Sequence, residues 1–151
     1  MENPSVLRAQ ELFVKHYNCA QSVYAACGRG GGLTEAQRLA LAGPFGGGIA
    51  ARGEVCGALI GALLALGEAS EAEVAADPQS ARLAVYARSS RLAEAFREAH
   101  GSIRCRELTG HNLSTEFGLR AFQESGLRQK LCSGLVAFAA EKVDEILAAE
   151  G

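Results

Sequence analysis

The stretch 77-DPQSARLAVYARSSRLAEAFREAHG-101 decides the fold class. Asp77 supplies a carboxylate N-cap, and Pro78 follows at the first helical position, where its missing N–H is harmless. Gly101 suits the left-handed turn that closes a helix. Nothing between these marks breaks a helix, so one long helix is expected from Asp77 to about His100. Leu83, Val85, Tyr86, Leu92, Ala93 and Phe96 are its expected buried positions.

The same punctuation continues outward in both directions. Toward the C-terminus, Ser102 is expected to cap a short turn holding Cys105, and Ser114 or Thr115 another holding Phe117, Leu119 and Phe122; the last helix should run from about Leu127 to Ala149. Toward the N-terminus, a helix is expected from about Glu54 to Leu66, stopped by Gly67. Thr34-Glu35-Ala36-Gln37 has the form of a capping box and should open a helix to about Ala42. Asn18 is placed to cap a helix that starts at Cys19 and ends near Gly28, and Val6, Leu7, Phe13 and Val14 give an apolar stripe to a first helix from about Pro4 to His16. No sustained apolar–polar alternation marks a strand. The expectation is an all-α chain, a single-domain compact helical bundle of about six or seven helices over residues 1–151.

Composition narrows the function. With 151 residues and 48% hydrophobic content, the chain has enough apolar material for one core. Fifteen Lys and Arg are scattered among 17 Asp and Glu for a net charge of -2, which gives a polyanion no footprint, so nucleic acid is not an expected partner. The apolar run Val55 to Leu66 is too short for a bilayer, which needs roughly 20 residues, so no membrane insertion is expected. The N-terminal residues lack the apolar core of a secretory signal, and the expected location is cytoplasmic. Five cysteines in a reducing compartment point away from structural disulfides and toward metal, cluster or redox chemistry.

Cys19, Cys56 and Cys105 are each read as lying in the first turn of a helix, and Cys132 in the opening turns of the last one. Unpaired N–H groups and the positive end of the helix dipole favour a thiolate there, the form that binds soft metals and attacks disulfides. Cys27, near a helix end, is read as packing. No C-x-x-C pair occurs, so a joint site has to be assembled by the fold. His16 stands three residues before Cys19 and is weighed as a further ligand against a plain helix-end surface residue. The glycines of Gly43-Pro44-Phe45-Gly46-Gly47-Gly48 exceed the needs of a turn, so the backbone there is expected to approach something closely or to take positive φ. Gly46, Gly47, Gly48 and Gly57 are the candidate cofactor-contacting glycines, although no nucleotide-loop spacing is present. Gly57 and Gly61, with nearby alanines, give one helix a smooth face for another helix to pack on.

Tyr17-Asn18-Cys19-Ala20-Gln21-Ser22, Phe45-Gly46-Gly47-Gly48, Cys56-Gly57-Ala58-Leu59-Ile60-Gly61, Cys105-Arg106-Glu107-Leu108 and Cys132 together resemble, in order, the small bacterial and archaeal C_GCAxxG_C_C family. The resemblance spans most of the chain. It implies a helical, redox-active protein related to domains of iron–sulfur electron-transfer proteins, with Cys19, Cys56, Cys105 and Cys132 as the functional positions. Cys27 falls outside the pattern, and His16 stands where the family has a glycine.

Three functions stay open at this level. In the first, Cys19, Cys56, Cys105 and Cys132 converge as metal ligands and hold an iron–sulfur cluster or a transition-metal ion for electron transfer with a redox partner not identified by the sequence. The second is metal-free dithiol chemistry, with Cys56 and Cys19 as the catalytic pair, Cys56 attacking. The third is a helical interaction module whose cysteines only pack. Smooth Gly and Ala faces permit a homodimer without demanding one.

Overall fold

The computed structural model describes residues 2–150, and among them the chain is all-α, with nine α-helices and no strand. They are α1 (Pro4–Val14), α2 (Cys19–Cys27), α3 (Glu35–Ala42), α4 (Gly57–Ala69), α5 (Glu71–Ala76), α6 (Pro78–His100), α7 (Cys105–Thr109), α8 (Glu116–Ser125) and α9 (Ser133–Glu150). A 3₁₀ turn at Gly43–Phe45 follows α3, and a π-helical turn at Arg128–Cys132 leads into α9. The number exceeds six or seven because short helices such as α5 add to the long ones.

The caps behave as local chemistry requires. Asn18 and Gln21 form a capping box at α2, as do Thr34 and Gln37 at α3. The Asp77 carboxylate accepts from the amides of Gln79 and Ser80, and Gly101 ends α6 in the left-handed region at φ 88°.

Three expectations are corrected. First, α4 starts at Gly57, because Val55 pairs with Arg104 in an isolated antiparallel bridge and Cys56 becomes the N-cap. It also runs through Gly67 to Ala69, and Ser70, whose hydroxyl donates to the Leu66 carbonyl at 2.7 Å, closes it. Second, α9 begins only after the π turn, five residues or more beyond the expected start near Leu127. Third, Leu83 and Tyr86 are 69% and 65% exposed. The buried positions of α6 are Ala81, Arg88, Leu92 and Phe96, and Leu83 and Tyr86 each lie two residues, about 200° around the helix, from a member of that face. Arg88 is buried because its guanidinium bonds both carboxylate oxygens of Glu73 on α5, at 2.8 and 2.9 Å.

The core gathers around α2, which packs on α1, α3, α4 and α9. Val23, Leu59, Leu66, Leu92, Phe96, Leu135, Val136 and Val143 are fully or almost fully buried. Each such side chain contributes about 1.5–3 kcal/mol through removal of apolar surface from water. The smooth face of α4 lies against α2, where a Cβ on Gly61 would stand 2.5 Å from the Ala20 carbonyl oxygen. This near-contact of backbones sets Cys19, at the start of α2, beside Cys56, at the start of α4. No described helix is long and apolar enough to cross a membrane.

Candidate functional site

Four separate segments deliver Cys19, Cys56, Cys105 and Cys132 to the wall of one cavity of about 120 Å³. Cys19 is the first residue of α2, held there by Asn18. The Asn18 side chain accepts from the Gln21 amide at 2.8 Å and donates to the Gly43 carbonyl at 3.0 Å, which ties the start of α2 to the entry of the glycine-rich loop.

That loop contains the least ordinary backbone of the protein. Gly47, Gly48, Ile49, Ala50 and Ala51 all have φ between 51° and 74°, a single left-handed turn, and three of the five are not glycine. Left-handed geometry costs an L-residue roughly 1–2 kcal/mol, so surrounding contacts must hold it. The amides of Ala50, Ala51, Gly53 and Glu54 donate to the carbonyls of Pro44, Gly46, Gly47 and Gly48 at 2.8–3.1 Å. The turn then feeds the Val55–Arg104 bridge, in which the Cys56 amide donates to the Ile103 carbonyl and the Cys105 amide to the Glu54 carbonyl, both at 2.7 Å. Cys56 and Cys105 are thereby joined as one unit, although 49 residues separate them in sequence.

Glycine permits this assembly at two contacts. A Cβ on Gly48 would lie 2.7 Å from the Cys105 Cβ and 2.7 Å from the Glu54 nitrogen, and one on Gly57 would lie 3.0 Å from the Phe45 carbonyl oxygen and 3.2 Å from the nitrogen of Ala20, the residue after Cys19. Gly47, Gly48 and Gly57 line the cavity, whereas Gly46 sits under the Asn18 side chain and outside it. Close approach between cysteine-bearing segments therefore accounts for much of the glycine density.

Cys132 enters from the π turn, with Arg128 one turn before it. The Arg128 Nη2 donates to the carbonyls of Phe13 and Tyr17 at 2.9 and 3.0 Å, and its guanidinium carbon lies 3.7 Å from the centre of the Phe13 ring. Phe13, Leu108, Leu113, Phe122 and Leu135 complete an apolar lining. Sequence reasoning missed Arg128 and this lining; the available signal was the four-residue spacing from Arg128 to Cys132, which puts both on one side of a helix.

The expected lowering of thiol pKa at helix starts is corrected at three of the four cysteines. Burial pushes Cys56 up to about 12, against the opposing hydrogen bonds from the Ala58 and Leu59 amides, and pushes Cys105 up to about 11. Cys19 is raised because its thiol is hydrogen-bonded to Cys132, and burial adds to this. Cys132 is the exception: the hydrogen bond from Cys19 and then the Arg128 charge favour its thiolate over the opposing effect of burial. Cys56 is also the N-cap of α4 and not a residue of its first turn, and Cys132 closes the π turn.

Among the described residues, no three His, Cys, Asp or Glu side chains are arranged around one point as the ligands of a single metal ion. His16 is exposed and does not line the cavity; it takes φ 75°, the conformation that a glycine would adopt without strain. Cys27 is fully buried in the core, its thiol directed at the Ala140 carbonyl 3.8 Å away, and is no part of the cavity.

No curated protein and no solved structure matches the chain. The family model described as "Putative redox-active protein (C_GCAxxG_C_C)" matches residues 17–146, a span that takes in all four cysteines of the cavity. The chain belongs to the C_GCAxxG_C_C family of redox-active proteins.

Proposed function

We propose that the four-cysteine cavity is the redox centre of this protein and that its thiolates hold an iron–sulfur cluster of the two-iron kind. The observation that carries this reading is the convergence of Cys19, Cys56, Cys105 and Cys132, from four segments, on one cavity. The donor set suits it: four soft sulfur ligands and, among the described residues, no carboxylate in the lining. A single tetrahedral ion would need at least three ligands around one point, which the described residues lack. Two pairs are a better description. Cys19 and Cys132 are close enough to shift each other's acidity, and Cys56 and Cys105 are joined through the Val55–Arg104 bridge. Such a cluster supplies one-electron transfer; this chain's residues contribute its ligands, an apolar wall against water, and the Arg128 charge.

Anaerobic reconstitution with ferrous iron and sulfide tests the reading. Visible absorption with about two irons and two sulfides per chain is expected, lost on Cys→Ser replacement at 19, 56, 105 or 132 and kept in Cys27→Ser. A wild-type chain that stays colourless and iron-free defeats it.

The mutual influence of Cys19 and Cys132 on each other's acidity favours a second reading, metal-free dithiol chemistry. Here the Cys132 thiolate attacks a substrate disulfide and releases one sulfur as a thiol; Cys19 then loses its proton and displaces the second, so two electrons pass to the substrate and a Cys19–Cys132 disulfide remains. The free-thiol content should then fall by two per cycle, in wild type and Cys27→Ser alike. Cys56 and Cys105 would be dispensable for that cycle, which separates it from the cluster.

A further inference from the structure

We infer that Arg128 is the resident counter-charge of the redox centre, a positioning residue whose fixed cation favours the more negative, reduced state. The inference rests on the proposed cluster and concerns what sets its potential. Among the described residues Arg128 is the only charged side chain in the cavity wall. Among the described residues it has no carboxylate within ion-pair distance, whereas eight other arginines each have one. The carbonyls of Phe13 and Tyr17 and the Phe13 ring fix the guanidinium in place, but they are dipoles and leave its formal charge uncompensated. A half-buried guanidinium with no carboxylate beside an apolar cavity favours an opposite charge in that cavity. Four thiolates around a cluster carry it, and each added electron increases it.

The balance is simple. A cluster held by the four cysteines would take one electron from a one-electron donor, which would be oxidised, and the site would gain one negative charge with no bond to a protein atom broken. Arg128 takes no part in the transfer itself. Its attraction for the added charge, through a medium of intermediate dielectric, is worth about a tenfold factor or more in the equilibrium constant for reduction.

A purely structural role is the competing explanation, because the same side chain ties the end of α1 to the π turn. Two substitutions separate the roles. Arg128→Gln keeps an amide donor for a carbonyl and removes the charge; Arg128→Lys keeps the charge and removes the planar fork. The midpoint potential of the reconstituted full-length protein is measured for wild type and both variants, with iron content and thermal melting recorded alongside. The expected result is a lower potential in Arg128→Gln, equivalent to about a tenfold fall in the reduction constant, and a value near wild type in Arg128→Lys. Equal potentials in Arg128→Gln and wild type overturn the inference, as does an Arg128→Lys potential as low as that of Arg128→Gln. If Arg128→Gln folds but takes up no iron, the inference stands when Arg128→Lys does take it up and fails when neither does. A wild-type protein that takes up no iron overturns the cluster reading itself, a different outcome from any of these.

Discussion

Gly48 and Gly32 separate two effects that glycine-rich sites usually confound. Both have left-handed backbone, at φ 74° and 72°, but a Cβ on Gly32 would meet nothing within 4 Å, whereas one on Gly48 would lie 2.7 Å from the Cys105 Cβ and 2.7–2.8 Å from the backbone of Glu54. Gly32→Ala should therefore report the conformational penalty alone. That penalty is roughly 1–2 kcal/mol, partly offset by the smaller freedom of alanine in the unfolded chain, leaving about 1 kcal/mol. Gly48→Ala adds the displacement of backbone and of Cys105, for which overpacking of this kind costs about 1–3 kcal/mol more. In a chain of this length 1 kcal/mol corresponds to roughly 2–4 °C, so Gly32→Ala should lower Tm by roughly 2–4 °C and Gly48→Ala by roughly 4–16 °C. Thermal melting of the metal-free protein measures both. Mass-mapped alkylation should also show Cys105 reacting faster in Gly48→Ala, because the loop that covers it has moved. Equal destabilisation of the two variants, with Cys105 as protected as before, would refute the claim that Gly48 is needed for close approach to Cys105.

Three further outcomes follow from the same structure. Limiting iodoacetamide near pH 8 should label Cys132 ahead of Cys27, Cys56 and Cys105, since only Cys132 has its thiolate favoured while burial holds the other three at about 11–12; peptide mapping that finds Cys56 labelled first contradicts this order. Glu68, which accepts from Arg38, the Tyr24 hydroxyl and the Gly31 amide, has its pKa lowered from 4.5 to about 2, chiefly by Arg38. A carboxylate depressed in the folded state adds stability above its unfolded pKa, and that stability is lost as pH falls from about 4.5 toward 2. Glu68→Gln should thus cost about 2 kcal/mol at neutral pH, and the gap from wild type should close in acid denaturation series near pH 2; a gap independent of pH speaks against the assignment. His16→Gly, at an exposed left-handed position, should raise stability by about 0.5–1 kcal/mol in urea titration, and a loss of stability would show that His16 makes a contact that compensates its φ of 75°.

What sequence reasoning reached in this protein depended on whether the controlling interaction was local. The caps at Asn18, Thr34 and Asp77 and the stop at Gly101 involve partners no more than four residues away, and these the residue types announce. Gly67 shows the limit of the same rule, because a glycine inside a helix costs only about 1 kcal/mol and the packing of α4 outweighs it. On α6, Leu92 and Phe96 are buried as expected, but Leu83 and Tyr86 are not, and Arg88 is an inside residue because Glu73, fifteen residues away, pairs with it. At the site, the family pattern picked the four cysteines that line one cavity but carried no information on their unequal chemistry. That inequality has non-local causes: a thiol on α2 that shifts the acidity of a thiol 113 residues later, and an arginine held by carbonyls at and just beyond the end of α1. The left-handed turn at Ile49, Ala50 and Ala51 is the sharpest case, since each of these residue types prefers another conformation. Its strain is sustained by the hydrogen bonds that lead into the Val55–Arg104 bridge, and the bridge is what unites Cys56 with Cys105. Local preference was overridden at the point where the cysteines had to meet, which is where a stored conformational cost is best explained by the function of the site.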